Sequence, residues 1–295
     1  SPSTFAGNFL YLDLENLVYN EYLTQEDIDI LKQEVSYVDY EYIKSQKESL
    51  LKKASQAFFC KNTEESEFKK FQSENQFWLE DYSLFLSLNK KFKDKMWNTW
   101  EKGYKFRERK AIEEAKKEFE EDYKYESFIQ YYFYKQWKKL KDYANRKGIK
   151  IIGDLPIYVA SNSADTWQHP KLFCFNKHLK IKAVAGCPPD YFSKKGQLWG
   201  NVLYDWEAMK KENYSWWEQR VKHSFLLYDV LRLDHFRGFA SYWAIRYGEK
   251  TAINGKWIKG PRYQFFKKLE NKITNFDIIA EDLGTLTPDV FKLLE

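Results

Sequence analysis

The hydrophobic pattern of the chain changes character near residue 127. Residues 19–126 place apolar side chains three and four positions apart among many Lys and Glu residues, with one glycine and no proline. This spacing is typical of amphipathic helices and predicts a helical subdomain over that range. Residues 1–18 predict a loop followed by a short extended or helical piece.

From residue 127 onward, helical patterns alternate with short apolar runs. A stripe at residues 129, 133, 137, 140 and 144 predicts a helix that ends at Gly148. Helical patterns over 207–227 and 261–273 likewise precede the runs that end at residues 234 and 281. Such alternation predicts an α/β fold in which helices cover a parallel sheet.

A third apolar run follows Gly148. All three runs end in a carboxylic acid, namely Asp154, Asp234 and Glu281. An acid at the end of a buried strand is costly without water, a partner or a function. A single case is commonly structural or a helix cap, but three in series predict convergence on one crevice at the strand ends. Two facing carboxylates suit glycosidic-bond chemistry, with retention at a separation of about 5 Å and inversion at a wider one.

Basic residues surround the second acid. Arg232 lies two positions before Asp234 and therefore on the same face of the strand, where a guanidinium would orient that carboxylate. His235 and Arg237 follow on the loop. For these two side chains, contact with a substrate hydroxyl and purely local hydrogen bonding or ion pairing are equally expected.

A glycine- and proline-rich segment over residues 184–201 predicts a long loop. Long loops in compact domains commonly bind ligands. Rings and polar groups together suit a sugar, because its apolar faces stack while its hydroxyls form hydrogen bonds. The alternative is a loop held only by its own aromatic residues. The candidate side chains on this segment are Asp190, Tyr191, Phe192, Trp199 and Asn201.

The amino-acid composition limits which classes of partner the chain is expected to bind. The chain has 295 residues with 48 basic and 43 acidic ones, a net charge of +5, and aromatic residues make up 19%. The basic residues alternate with acidic ones, which disfavours nucleic acid, and no apolar run is long enough to span a membrane. Three scattered cysteines predict neither a disulfide framework nor a metal site. We therefore expect no metal site and a reducing, cytoplasmic setting without a secretory leader.

Several motifs together resemble the 4-alpha-glucanotransferases (amylomaltases) of glycoside hydrolase family 77, in the α-amylase clan. The most specific is LRLDHFRG, and the whole set follows the order and spacing of that family. The motifs that carry the resemblance lie at residues 5–14, 151–167, 184–206, 231–245 and 280–290.

The resemblance implies a partial (β/α)8 TIM barrel with a large helical insertion. Residues 1–18 would be a remnant of an early barrel segment, residues 19–126 the insertion, and residues 127–295 the central βα units. The family enzyme is longer at both ends and has a third catalytic carboxylate on a later strand. We therefore expect an internal fragment whose barrel is incomplete at both ends and which alone is nearly inactive.

The resemblance also implies transfer of α-1,4-glucan segments between maltooligosaccharides by a retaining double displacement, without a dissociable cofactor. Asp234 would be the nucleophile, Glu281 the acid/base and Arg232 the support of Asp234, while Asp154 would lie at the adjacent sugar subsite. Two other interpretations remain open at this point, an α-amylase-like hydrolase and a non-catalytic glucan-binding module. The expected substrate contacts are Arg232, Asp154, His235, Asp190, Tyr191, Phe192, Trp199 and Asn201.

Overall fold

The computed structural model describes residues 1–32, 36–283 and 287–294 and has an α/β fold with two sheets. One sheet is parallel, with strand order β1-β4-β7, and the other is antiparallel, with order β3-β2-β5-β6. The strands are β1 (Ile152–Pro156), β2 (Ala183–Cys187), β3 (Gln197–Val202), β4 (Val230–Asp234), β5 (Ser241–Arg246), β6 (Lys256–Lys259) and β7 (Ile278–Ala280).

Helices dominate the first half of the chain, as the spacing of its apolar residues predicts. The α-helices are α1 (Leu14–Tyr19), α2 (Gln25–Asp29), α3 (Tyr40–Lys61), α4 (Glu65–Glu74), α5 (Gln76–Lys91), α6 (Lys102–Lys105), α7 (Arg109–Glu118), α8 (Glu120–Arg146), α9 (Ala164–Gln168), α10 (Trp206–Lys211), α11 (Ser215–Leu227), α12 (Tyr263–Glu270) and α13 (Pro288–Leu294). Short 3-10 helices cover Phe9–Tyr11, Trp97–Thr99, Pro170–Leu172 and Phe236–Phe239.

Helix α8 links the helical half of the chain to the sheets. It ends at Arg146 and is followed by Gly148 at φ 75°, which confirms the predicted glycine stop. The helix begins at Glu120, so the predicted domain boundary at residue 127 falls inside it. Its buried residues 128–133 complete an apolar core with α3 and α4, while α5 packs its own core against α9.

The two faces of the parallel sheet differ in polarity. Leu155, Leu231 and Leu233 are buried in the main apolar core, and the alternating residues Arg232 and Asp234 lie on the opposite face. The pattern is therefore half-buried alternation, in place of the continuously buried strands that the sequence predicted.

The position of Asp154 corrects a prediction. The sequence predicted that the first strand ends at Asp154, but β1 runs on to Pro156, and Asp154 is its third residue. Pairing continues because Leu155 faces the core and Pro156 is in register with Asp234. The other two strands end as predicted: β4 ends on Asp234, and Glu281 follows β7 directly.

The segment 184–201 is not a long loop, so that prediction was wrong. It forms most of an antiparallel hairpin between β2 and β3, and only residues 188–196 connect the two strands. Gly186 permits the pairing, since a Cβ atom there would lie 2.1 Å from the carbonyl oxygen of Gln197. The glycines and prolines thus mark a close strand approach and a turn.

A carboxyl group lies in a cavity of about 240 Å³ between α3, α5 and α8. Glu126 lines this cavity and has no hydrogen bond or ion pair with any described residue. Burial, reinforced by the nearby charges of Asp122 and Glu48, raises the pKa of Glu126 to about 8. Between its ordinary pKa and about 8, the folded chain binds the proton more strongly than the unfolded chain does. The free energy of unfolding therefore falls across that interval as pH rises.

We predict that Glu126→Gln stabilises the protein above pH 8, because the variant no longer buries a carboxylate. Each pKa unit corresponds to about 1.4 kcal/mol, and the side chain is only partly buried, so a gain of about 1–3 kcal/mol is expected. The gain should shrink as pH falls and vanish below pH 4.5, where the carboxyl group is protonated in both states. Denaturant unfolding across this pH range measures it.

Glu121→Gln is the matched control, since Glu121 is an exposed acid on the same helix. This variant should leave the pH dependence of stability unchanged. An equal gain in both variants would mean that the effect comes from net charge and not from the cavity.

Candidate active site

A cavity of about 320 Å³ opens at the carboxyl end of the parallel sheet. Both sheets contribute to its wall, and both Asp234 and Glu281 line it. The complete lining is Cys187, Pro188, Pro189, Asp190, Gln197, Trp199, Asp234, His235, Arg237, Trp257, Glu281 and Leu283.

The two acids come from neighbouring strands in matching register. Leu233 pairs with Ala280, and the backbone N–H of Glu281 donates to the carbonyl of Leu233 at 3.1 Å. Adjacent strands are about 4.8 Å apart. Residues at the same register position point to the same side, so the carboxyl groups of Asp234 and Glu281 share one face of the sheet.

Backbone groups hold the carboxylate of Glu281. Its Oε2 accepts a hydrogen bond from the backbone N–H of His235 at 2.8 Å, and its Oε1 accepts one from Leu283 at 3.2 Å. His235 adopts a left-handed conformation, with φ 55°, at the sharp turn that follows β4. The turn that ends β4 therefore orients the carboxylate that follows β7.

Arg232 bridges two aspartates on the same face. Its Nη1 lies 2.6 Å from Asp154 Oδ1 and its Nη2 lies 3.4 Å from Asp234 Oδ1. The hydrogen bond and the charge of Asp154 raise the pKa of the Arg232 guanidinium. Arg232 thus contacts Asp234 as the sequence predicted, but its shorter bond is to Asp154.

His235 and Trp199 form the aromatic part of the wall. Their ring centroids are 4.8 Å apart at 89°, an edge-to-face contact, and the indole N–H of Trp199 donates to Gln197 at 3.0 Å. Burial, followed by the charge of Arg237, lowers the pKa of His235 to about 4. The imidazole is therefore neutral near pH 7 and can exchange hydrogen bonds with an uncharged ligand.

Of the three predicted substrate contacts on the β2–β3 turn, only one lines this cavity. Asp190 lines the cavity, but its Oδ1 accepts hydrogen bonds from the backbone N–H groups of Phe192 and Ser193 and so caps its own turn. Tyr191 and Phe192 are 95% and 93% exposed, pack on each other and do not line this cavity.

Asn201 and Asp154 belong to a neighbouring cavity of about 770 Å³. The side-chain amide of Asn201 donates to the carbonyl of Val159 at 2.9 Å, which fixes β3 against the segment after β1. Of the predicted site residues, Asp234, Glu281, His235, Asp190 and Trp199 share the smaller cavity. The structure does not bring Tyr191, Phe192 or Asn201 to it.

Sequence reasoning missed Trp257, which lines the cavity from β6. Its four-residue strand contains no acid and no distinctive motif. The available signal was the pair of lysines that flank the two apolar residues in KWIK, since charged side chains are typical of an edge strand.

An α/β fold with two carboxylates from adjacent parallel strands in one aromatic-walled cavity is typical of the glycoside hydrolase class. The family model for glycoside hydrolase family 77, described as 4-alpha-glucanotransferase, matches residues 1–295. The chain belongs to this family.

Individual relatives agree with the family model. The chain is 48% identical to a 4-alpha-glucanotransferase of Clostridium butyricum, over 99% of this chain and 60% of the relative. It is 43% identical to a 4-alpha-glucanotransferase of Aquifex aeolicus, over 100% of this chain and 59% of the relative. The chain therefore spans about 60% of the length of these relatives.

Solved structures show the same fold. An amylomaltase from Streptococcus agalactiae in complex with acarbose matches with a TM-score of 0.93 at 36% identity, covering 100% of this chain and 60% of that one. An amylomaltase from Corynebacterium glutamicum matches with a TM-score of 0.78 at 18% identity, over 99% of this chain and 40% of that one. At that lower identity the likeness concerns the fold alone.

The described residues contain neither a metal-binding cluster nor a membrane-spanning helix. Within residues 1–32, 36–283 and 287–294, no three His, Cys, Asp or Glu side chains are grouped so that they could hold a metal ion. No helix in that part of the chain is both long and apolar enough to cross a membrane.

The left-handed turn at His235 gives a stability prediction. We expect His235→Gly to be more stable than His235→Ala by about 1 kcal/mol, because a Cβ atom is disfavoured at this φ. Both variants remove the imidazole and its contact with Trp199, so their difference isolates the backbone. Denaturant unfolding of the two variants measures it.

The control makes the same alanine-to-glycine comparison at a helical position. Wild-type Ala208, in helix α10, is compared with Ala208→Gly. There alanine should be the more stable residue by a similar amount. If alanine is also the better residue at position 235, the left-handed turn does not carry the strain assigned to it.

Proposed function

We propose that this chain carries two of the catalytic acids of a 4-alpha-glucanotransferase that transfers α-1,4-glucan segments between maltooligosaccharides. The observation that carries the proposal is the shared cavity of Asp234 and Glu281 on neighbouring parallel strands. Family membership over residues 1–295 supports the same conclusion.

In the proposed reaction Asp234 attacks the anomeric carbon of the donor glucan, and Glu281 protonates the leaving glycosidic oxygen. The C–O bond to the leaving sugar breaks as the bond to Asp234 forms. In the second step Glu281 accepts the proton of an acceptor hydroxyl, whose oxygen displaces Asp234 from the same carbon. Two inversions give net retention.

The local contacts suit these different roles. Arg232 orients the Asp234 carboxylate toward the cavity and pairs with Asp154. The two backbone N–H donors hold Glu281 in one orientation, from which it can transfer a proton in both steps. The neutral His235 and the ring of Trp199 would contact the hydroxyls and the apolar face of a bound sugar.

The proposal extends to the architecture. The three parallel strands would be the central part of a (β/α)8 barrel, since β1 and β7 each have only β4 as a partner among the described residues. Residues 1–18 would belong to an early barrel segment, residues 19–126 to a helical insertion and residues 127–295 to the central βα units.

A chimera tests the function. Residues 1–295 would replace the matching segment of the Clostridium butyricum relative, to which they are 48% identical. With maltotriose, we expect a ladder of shorter and longer oligosaccharides, measured by chromatography. Asp234→Asn and Glu281→Gln should each lower the initial rate by about 10²–10⁴-fold, because each removes a group that acts on the reacting atoms.

Asp282→Asn is the control, since Asp282 is an exposed acid next to Glu281 that does not line the cavity. Its rate should stay close to that of the unsubstituted chimera. Glucose and maltose as the only products would favour an α-amylase-like hydrolase. Unchanged transfer in both acid variants would refute the proposed catalytic pair.

A further inference from the structure

The wall of the cavity contains an unusual arginine. Arg237 is only 5% exposed and lines the cavity together with Asp234 and Glu281. A guanidinium has five N–H donors, yet this one makes a single hydrogen bond to the residues that the structure describes, from Nη2 to Ser241 Oγ at 3.3 Å. Its Nε is buried without any partner among the described residues.

No carboxylate neutralises Arg237 in the described part of the chain. Asp289 is close enough to influence it, but Asp289 forms its ion pair with Arg262 at 3.1 Å. A buried charge with unsatisfied donors is costly, and the cost falls when a ligand supplies acceptors. The arrangement therefore indicates a group that enters the cavity and accepts hydrogen bonds.

The indole of Trp257 supplies the apolar half of the same wall. The Arg237 guanidinium carbon lies 4.0 Å from the Trp257 ring centroid, a close cation–π contact. Trp257 also packs on Trp243, its partner in the β5–β6 register, with ring centroids 5.2 Å apart. The indole N–H of Trp243 donates to Ala252 at 2.8 Å, so Trp257 rests on an anchored ring.

Despite this support, Trp257 remains 43% exposed. A rigid ring that is braced by its neighbours and still open to the cavity loses little freedom when a ligand packs on it. A sugar ring offers an apolar C–H surface and hydroxyl oxygens within a few ångströms of each other. This matches a wall that offers an indole beside unpaired guanidinium donors.

We infer that Trp257 and Arg237 form a sugar-binding wall that determines how tightly a glucan binds in this cavity. The inference rests on the proposed function, because it assigns a glucosyl unit to the same site. Trp257 packs on the sugar ring, and Arg237 donates hydrogen bonds to its hydroxyls while holding the indole in place.

Binding measurements test this inference separately from turnover. Acarbose, the ligand in the Streptococcus agalactiae structure, would be titrated calorimetrically into the chimera described above, which restores the parts of the relative that lie outside residues 1–295. We expect Trp257→Leu to weaken binding by about tenfold and Trp257→Phe by less, because phenylalanine keeps an aromatic face. Arg237→Lys keeps the charge but loses the planar donor fork, so a loss of about tenfold is expected.

Two matched controls accompany these variants. Ile258→Ala alters the next residue on β6, whose side chain points to the other face of its sheet. Arg246→Lys makes the same replacement at an exposed arginine on β5. Both should bind acarbose as the unsubstituted chimera does. Melting temperatures identify any variant that fails to fold, and Trp257→Phe, the mildest change, remains informative if Arg237→Lys unfolds.

The outcomes separate this inference from the proposed function. Unchanged acarbose affinity in folded Trp257→Leu and Arg237→Lys overturns the sugar-binding wall, even if the chimera transfers glucan. Absence of acarbose binding by the unsubstituted chimera overturns it as well. Weakened binding in these variants, combined with hydrolysis in the chimera, would support the wall and reject the proposed transfer.

Discussion

The parallel register of β4 with β1 and β7 is the constraint on which the site depends. Leu231 and Leu233 are buried in the main core, and this fixes which face of β4 carries Arg232 and Asp234. A slip of one residue would move Asp234 into the apolar core and the leucines into the cavity. The free-energy cost of burying that carboxylate makes the observed register the favourable one. Packing on one face of the sheet thus fixes the chemistry on the other.

The two central acids are held in physically different ways. Asp234 and Asp154 share the guanidinium of Arg232, a side-chain contact at a partly exposed position that contributes little to stability. Glu281 is instead held by backbone N–H groups on the turn at His235 and at Leu283. A nucleophile must approach and leave a carbon atom, whereas an acid/base must hold its proton at a defined place. The side-chain contact of Asp234 therefore suits the proposed nucleophile, and the backbone hydrogen bonds of Glu281 suit the proposed acid/base.

Local pattern was sufficient to predict part of this arrangement. The runs before Asp234 and Glu281 contain enough apolar residues to identify strands, and Gly148 marks the end of α8. Asp154 was misplaced because Leu155 and Pro156 extend β1, and only pairing with β4 reveals that extension. These failures and successes share one reason: periodicity reports burial within one element, while pairing depends on residues far away in sequence.

The β2–β3 hairpin and its tip illustrate the same limit. The glycines and prolines in the segment 184–201 predict a long loop, but Gly186 lies within a paired strand. Tyr191 and Phe192 have the composition of a sugar-binding pair, yet the turn capped by Asp190 directs them to solvent. The lysines beside Trp257 indicate an edge strand but not its place in the cavity wall, because that place arises from contacts with Arg237 and Trp243 on other elements.

The helical half of the chain, which carries none of the central acids, also determines the geometry of β1. The fully buried Trp97 donates from its indole N–H to Thr166 at 2.9 Å, and its backbone N–H donates to Asn162 at 3.0 Å. From the other side Arg220, also buried, donates to the carbonyls of Pro156 and Ile157 at 2.6 and 2.9 Å. These bonds fix the chain directly after Asp154. Because an edge strand has a neighbour on one side only, such external bonds replace the restraint that a second strand would provide. Helix α11 and the helical block therefore both restrain the segment that follows Asp154, α11 at residues 156 and 157 and the helical block at residues 162 and 166.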